Sequence, residues 1–227
     1  MQARVSTSTT WYASIAATVA WFALLLQFYL TLRQSNDNGF GALHGMWLFI
    51  AFFTILTNLI VAVTLTLPLL HPRSSSGQFF TRPSVITGVA ANIALVGIAY
   101  NLLLRNIWNP QGLQLLADIL LHDVLPIAFV LYWWQTAARA AVRYADIVYW
   151  AIYPIIYFIY ALLRGAATGF YAYPFIDVAR LGLAQVIANA LGILLGFVII
   201  AALLIAFGNI RSRNSGPRTA PGDNAQG

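Results

Sequence analysis

A chain of 227 residues that is 60% hydrophobic and only 8% charged, with a mean hydropathy of +0.76, is too apolar for an ordinary soluble domain or a disordered one. With no cysteine in it, disulfides, thiolate metal sites and a cysteine nucleophile are excluded. The net charge of +6 lies beside apolar segments, where basic residues set topology and meet anionic headgroups of membrane lipids; it gives no reason to expect nucleic acid.

About 20 mostly apolar residues cross a bilayer, and six segments meet that length in chain order: 11–32, 46–70, 84–104, 113–134, 145–163 and 182–207. The first has an apolar run longer than a signal peptide's hydrophobic region and no small-x-small cleavage site, so it is expected to remain attached. The fifth contains Pro154, which a membrane helix tolerates when neighbours satisfy the freed carbonyl. The expected fold is all-α, a polytopic bundle of six transmembrane helices over residues 1–210. The basic tail 211–227, rich in Asn, Ser, Gly, Pro and Arg, is expected to be disordered. Arg4, Arg73, Arg82, Arg139, Arg143, Arg211, Arg213 and Arg218 fall on one side of the predicted spans, and Arg33, Arg105, Arg164 and Arg180 on the other. That asymmetry predicts a multi-pass protein of the cell membrane with both termini cytoplasmic.

The polar residues inside these spans carry the chemistry. In the second, Thr54 and Asn58 are four apart and share a helix face, with Thr57 one position round. In the fourth, Asp118 and His122 are likewise four apart, while Asp123 is turned about 100° away. An ionisable group at the centre of a span costs roughly 2.5 to 3.5 kcal/mol on insertion scales, so it usually faces a protein interior or a wet cavity. Pro126 has no amide hydrogen for the carbonyl four residues earlier, that of His122. The second and fourth spans run in the same direction, so Thr54 and His122 lie about level if the two helices pack together. Arg164 reaches the outer side, followed by a loop with Tyr171, Tyr173 and Asp177 that could roof a chamber. The plain structural readings are that each Thr bonds back to a carbonyl one turn earlier and that Asn58 joins helices. The residues call for no cofactor, and three scattered histidines without Cys or Glu make no metal site.

The strings FFTILTNLIVAV, WNPQG, LLHDVLP and RGAATGFYAYPFIDV resemble the bacterial six-helix membrane family called Pr6Pr, across most of the chain. That family is distantly similar to the eukaryotic androgen-induced and androgen-dependent six-helix proteins, which are intramembrane hydrolases of fatty acid esters of hydroxy fatty acids. The resemblance implies a threonine hydrolase acting on a lipid ester or fatty-acid ester, with Thr54 as nucleophile and His122 as base; Thr57 remains a rival to Thr54. Asp118 would orient the imidazole, Asn58 would donate to the oxyanion, and Arg164 would hold a carboxylate. The alternative is a non-enzymatic bundle or small transporter in which Asp118, His122, Asp123 and Arg164 form a buried polar network.

Overall fold

The structure, a computed structural model, describes residues 7–138 and 140–214. It is all-α, with no strand among the described residues. Six helical stretches are long and apolar enough to cross a membrane: Thr7–Asp37, Phe53–Leu70, Pro83–Leu104, Leu113–Thr136, Asp146–Thr168 and Leu183–Arg213. The chain is a multi-pass membrane bundle of the kind its composition predicts.

Helix α1 (Thr7–Asp37) buries Ala13, Ala16, Ala17, Ala20 and Ala23. Alanines at helical spacing let another backbone approach closely, the usual basis of helix packing in lipid. Trp21 Nε1 seals the contact by donating to Thr66 Oγ1 at 3.0 Å. A turn with Gly39 and Gly41 at φ 80° leads into α2 (Gly41–Phe49).

The single helix expected over 46–70 is interrupted. It ends at Phe49 and resumes as α3 (Phe53–Leu70), with Phe52 extended at φ −99°, ψ 132°. No glycine or proline breaks it, so the cause is tertiary. The carbonyls it exposes are taken by α8 (Asp146–Thr168). The Tyr157 phenol donates to Ala51 at 2.8 Å, the Tyr160 phenol to Ile50 at 3.3 Å, and Arg164 Nη1 to Trp47 at 2.6 Å. Backbone groups unpaired in a bilayer cost several kcal/mol each, so the break persists because the neighbouring helix supplies donors.

The short α4 (Ser75–Phe79) is capped by Ser74. Helix α5 (Pro83–Ala99) starts on a proline at its first position, where the missing amide hydrogen is harmless. It ends in a π turn, Tyr100–Leu104. The fourth crossing is built from α6 (Leu113–Ile119), a π turn at Leu120–Val124, and α7 (Leu125–Thr136). Gly169, left-handed at φ 73°, closes α8. A 3-10 turn (Pro174–Ile176) and α9 (Val178–Leu181) lead to α10 (Leu183–Asn214). Arg211 to Asn214, the first residues of the expected tail, therefore continue the last helix; residues 215–227 lie outside the described residues.

Helices α1, α3, α5 and α7 share the main core, around Val61, Leu65, Ile93, Phe129 and Trp133. Helices α8 and α10 stand outside it: only 6% and 17% of their most apolar stretches are buried, against 67% for the α5 crossing. The spaces between the inner and outer helices are where cavities form.

Candidate functional site

A chamber of about 220 Å³ lies between α3, α5, α8 and α10, roofed by the loop after α8. Its walls are almost wholly apolar, and Thr54, Tyr100, Tyr157 and Tyr173 are its hydroxyl-bearing residues. The interruption in the second crossing explains how Thr54 comes to be there. Thr54 is the second residue of α3, so its amide hydrogen has no acceptor within the helix, and Phe52 provides no side-chain cap. The Tyr173 phenol accepts that hydrogen at 3.3 Å and lies 3.5 Å from Thr54 Oγ1. Burial pushes the Tyr173 phenol above its ordinary pKa, with the hydrogen bonds from Thr54 acting against that rise. It therefore remains a protonated donor.

Thr57 is differently placed. Its hydroxyl pairs with the Tyr153 phenol at 2.9 Å, and it lines a second cavity rather than the chamber. The back-bonding expected of a membrane threonine holds for Thr64 and Thr66, which donate to Ile60 and Ala62 at 2.7 Å. Thr54 and Thr57 make no such bond.

His122 sits in the π turn of the fourth crossing. Its Nδ1 is 3.0 Å from the Asp118 carbonyl and 3.2 Å from Asp118 Oδ1. Both neighbours are acceptors, so the hydrogen is assigned to Nδ1, leaving the lone pair on Nε2. Asp118 also accepts a hydrogen bond from the Tyr100 phenol, and the Tyr100 and His122 rings stack at 3.9 Å and 15°. The result is a continuous Tyr100–Asp118–His122 array. Tyr100 lines the chamber and His122 stands behind it. No hydrogen bond joins Thr54 to His122 among the described residues. Asp123 points to different partners, Asn101 at 2.9 Å and Arg105 at 2.5 and 2.6 Å.

Asn58 links the two halves. Its Nδ2 donates to the Thr54 carbonyl at 2.9 Å and to the Leu121 carbonyl at 3.2 Å, clamping the turn of Thr54 to the turn before His122. Both amide hydrogens are spent, so none is left for the oxyanion role suggested by the sequence. The π turn also changes the register at Pro126. The Leu125 amide reaches back five residues to Leu120; in that register the acceptor opposite Pro126 is Leu121, where Asn58 donates, one residue before the His122 of α-helical spacing.

Arg164 does not join the Asp118–His122 network. It is buried, with Nη1 bound to the Trp47 carbonyl and, at 3.1 Å, to the Tyr160 phenol. Its guanidinium lies 4.4 Å from the Trp47 ring centre. No carboxylate pairs with it among the described residues, and Arg105 takes the place expected for it near Asp123. Tyr171 packs where Gly165 lacks a side chain, and Asp177 caps α9 by accepting from the Arg180 amide at 3.1 Å. Of these three loop residues Tyr173 reaches the chamber, beside Phe175 and Ile176; Tyr171 and Asp177 hold the loop in shape.

The sequence did not single out Tyr100, Tyr153, Tyr157 or Arg105 for the site. Their only signal was polarity inside or at the edge of apolar spans. No protein family, no curated protein and no solved structure matches the chain.

Proposed function

We propose that this chain is an intramembrane hydrolase of lipid esters or fatty-acid esters, with Thr54 as the nucleophile. The observation that carries this reading is the placement of the Thr54 hydroxyl, in an apolar chamber and at the N-terminus of an interrupted helix. The chamber suits an acyl chain. The helix end contributes about half a positive charge where the alkoxide and the tetrahedral oxyanion develop. Tyr173, protonated and at the Thr54 amide, is the oxyanion donor in this mechanism.

Thr54 Oγ attacks the ester carbonyl and forms an acyl-threonine, and the alcohol leaves with a proton. Water then cleaves the acyl-threonine, releasing the acid. The proton acceptor is the His122–Asp118 pair, and Asp118 fixes the tautomer as the acid does in a hydrolase triad. Tyr100 brings this array to the chamber wall, and in the proposed mechanism water or the bound ester carries the Thr54 proton to the Nε2 lone pair of His122. The arginine asymmetry supports a cytoplasmic side for both chain ends.

Long-chain ester cleavage by purified protein in detergent is the test, on wild type, Thr54→Ala, Thr57→Ala, His122→Ala and Tyr100→Phe. Thr54→Ala removes turnover, His122→Ala and Tyr100→Phe lower it by about 10² or more, and Thr57→Ala retains it. Equal turnover in all five overturns the reading. A small transporter is the rival, favoured by the interrupted helix and a second cavity in line with the first. Solute flux in proteoliposomes without ester turnover would decide for it.

A further inference from the structure

A second cavity, of about 410 Å³, lies between α3, α4, α5 and α8. Its walls are mostly apolar, but polar residues interrupt them along its length: Ser84, Asp146, Asn92, Thr57 and Tyr153. Its mouth is at the start of α5 and α8, where Ser84 Oγ donates to Asp146 Oδ2 at 2.8 Å. Deeper in, Asn92 is 94% buried and spends its Nδ2 on the Gly88 carbonyl at 2.9 Å. Its Oδ1 has no partner. A cavity with several convergent polar groups is one that holds water, here at Ser84, Asp146 and Tyr153.

The two cavities meet end to end. On α3 the lining passes from Thr57 to Thr54, on α5 from Asn92 to Leu95, and on α8 from Tyr153 to Pro154. Each step is one helical turn or less. Between them stands a septum in which Tyr153 bonds Thr57 at 2.9 Å and stacks on Phe53 at 5.1 Å.

We infer that the second cavity is a hydrated vestibule, binding water at Ser84, Asp146 and Tyr153, and that the Thr57–Tyr153 hydrogen bond gates its access to the Thr54 chamber. The vestibule rests on the hydrolase reading only for its purpose, which is to bring the water that cleaves the acyl-threonine into an apolar chamber. The gate keeps bulk water out until that step. Its occupant is water and not a lipid tail, because the polar groups converge on it from three helices.

The chain has no cysteine, so single-cysteine accessibility reads the path directly in membranes of the full protein. The near-isosteric variants Ser84→Cys and Val89→Cys report the vestibule and Leu95→Cys the chamber. A charged, membrane-impermeant methanethiosulfonate is expected to label the two vestibule positions from one face only, and Leu95→Cys at least tenfold more slowly. Adding Thr57→Val or Tyr153→Phe, each of which removes the gating bond, brings Leu95→Cys to within about threefold of Val89→Cys. Labelling of Val89→Cys by an apolar maleimide but not by the charged reagent would show a lipid-filled cavity and overturn the vestibule. An unchanged Leu95→Cys rate in both gate variants would overturn the gate. Because labelling is read without turnover, the expected pattern in a protein that cleaves no ester keeps the vestibule and discards the hydrolase.

Discussion

Replacing Asn58 by leucine isolates the contact that holds the two halves of the site together. In the π turn the Leu121 carbonyl would accept from the amide of residue 126, and that residue is proline. Asn58 Nδ2 fills the gap at 3.2 Å from a position with no solvent exposure. Asn58→Leu orphans this carbonyl, at about 1–3 kcal/mol for a buried acceptor. The same change removes Asn58 Oδ1, itself buried and unpaired, which offsets part of the loss. Side-chain hydrogen bonds in membrane bundles average about 0.6 kcal/mol and reach about 1.7, so the net loss is about 1 kcal/mol. In a Pro126→Ala background the chain regains an amide hydrogen for Leu121, and Asn58→Leu becomes close to neutral. A double-mutant cycle by reversible unfolding in mixed detergent micelles measures the difference, expected at about 1 kcal/mol. If Asn58→Leu costs the same in both backgrounds to within about 0.3–0.5 kcal/mol, the usual scatter for independent sites, then Asn58 is not the substitute for the missing proline hydrogen.

Gly165→Ala drives a methyl group into the Tyr171 ring, and overpacking of this kind costs about 1–3 kcal/mol. Its control is Gly192→Ala, where nothing lies within 4 Å and helix propensity makes alanine better by up to about 1 kcal/mol; thermal melts in detergent should move in opposite directions. Tyr157→Phe leaves the buried Ala51 carbonyl without its 2.8 Å donor. It lowers the melting temperature by the equivalent of about 1 kcal/mol, and ester turnover falls as the start of α3 loosens. Unchanged turnover with an unchanged melt would show that α8 does not hold the break.

The crossings were legible because length and apolarity are properties of a window of sequence, needing no partner. The Asp118–His122 pair was legible for a related reason: a spacing of four places both side chains on one face whatever lies opposite. The break at Ile50–Phe52 was not, since those residues contain neither glycine nor proline and the donors that stabilise it, Tyr157, Tyr160 and Arg164, come from a helix about a hundred residues later. The π turns were hidden for the same reason. They left the Leu121 carbonyl to Asn58 and brought Tyr100 against the imidazole. The hydrolase resemblance gives Arg164 a carboxylate to hold, but where it acts depends on which helix it faces.

That facing helix gives the interruption its electrostatic sense. A break in a membrane helix makes two new ends, a C-terminal one with about half a negative charge and an N-terminal one with about half a positive charge. Arg164 meets the first, its Nη1 on the Trp47 carbonyl in the last turn of α2. This is how a buried guanidinium without a carboxylate is tolerated in a low-dielectric setting. The second end has no cap from Phe52, only the neutral Tyr173 phenol on the Thr54 amide, and Thr54 sits in its first turn. The positive end is thus neutralised by no carboxylate among the described residues and stays directed at the position where the proposed reaction builds negative charge. An unbroken helix over the same residues would spend the Thr54 amide on the Ile50 carbonyl and bring no dipole end to the chamber. On this view the Tyr157, Tyr160 and Arg164 contacts, although Tyr157 alone of them lines the chamber, are what make Thr54 reactive rather than structural.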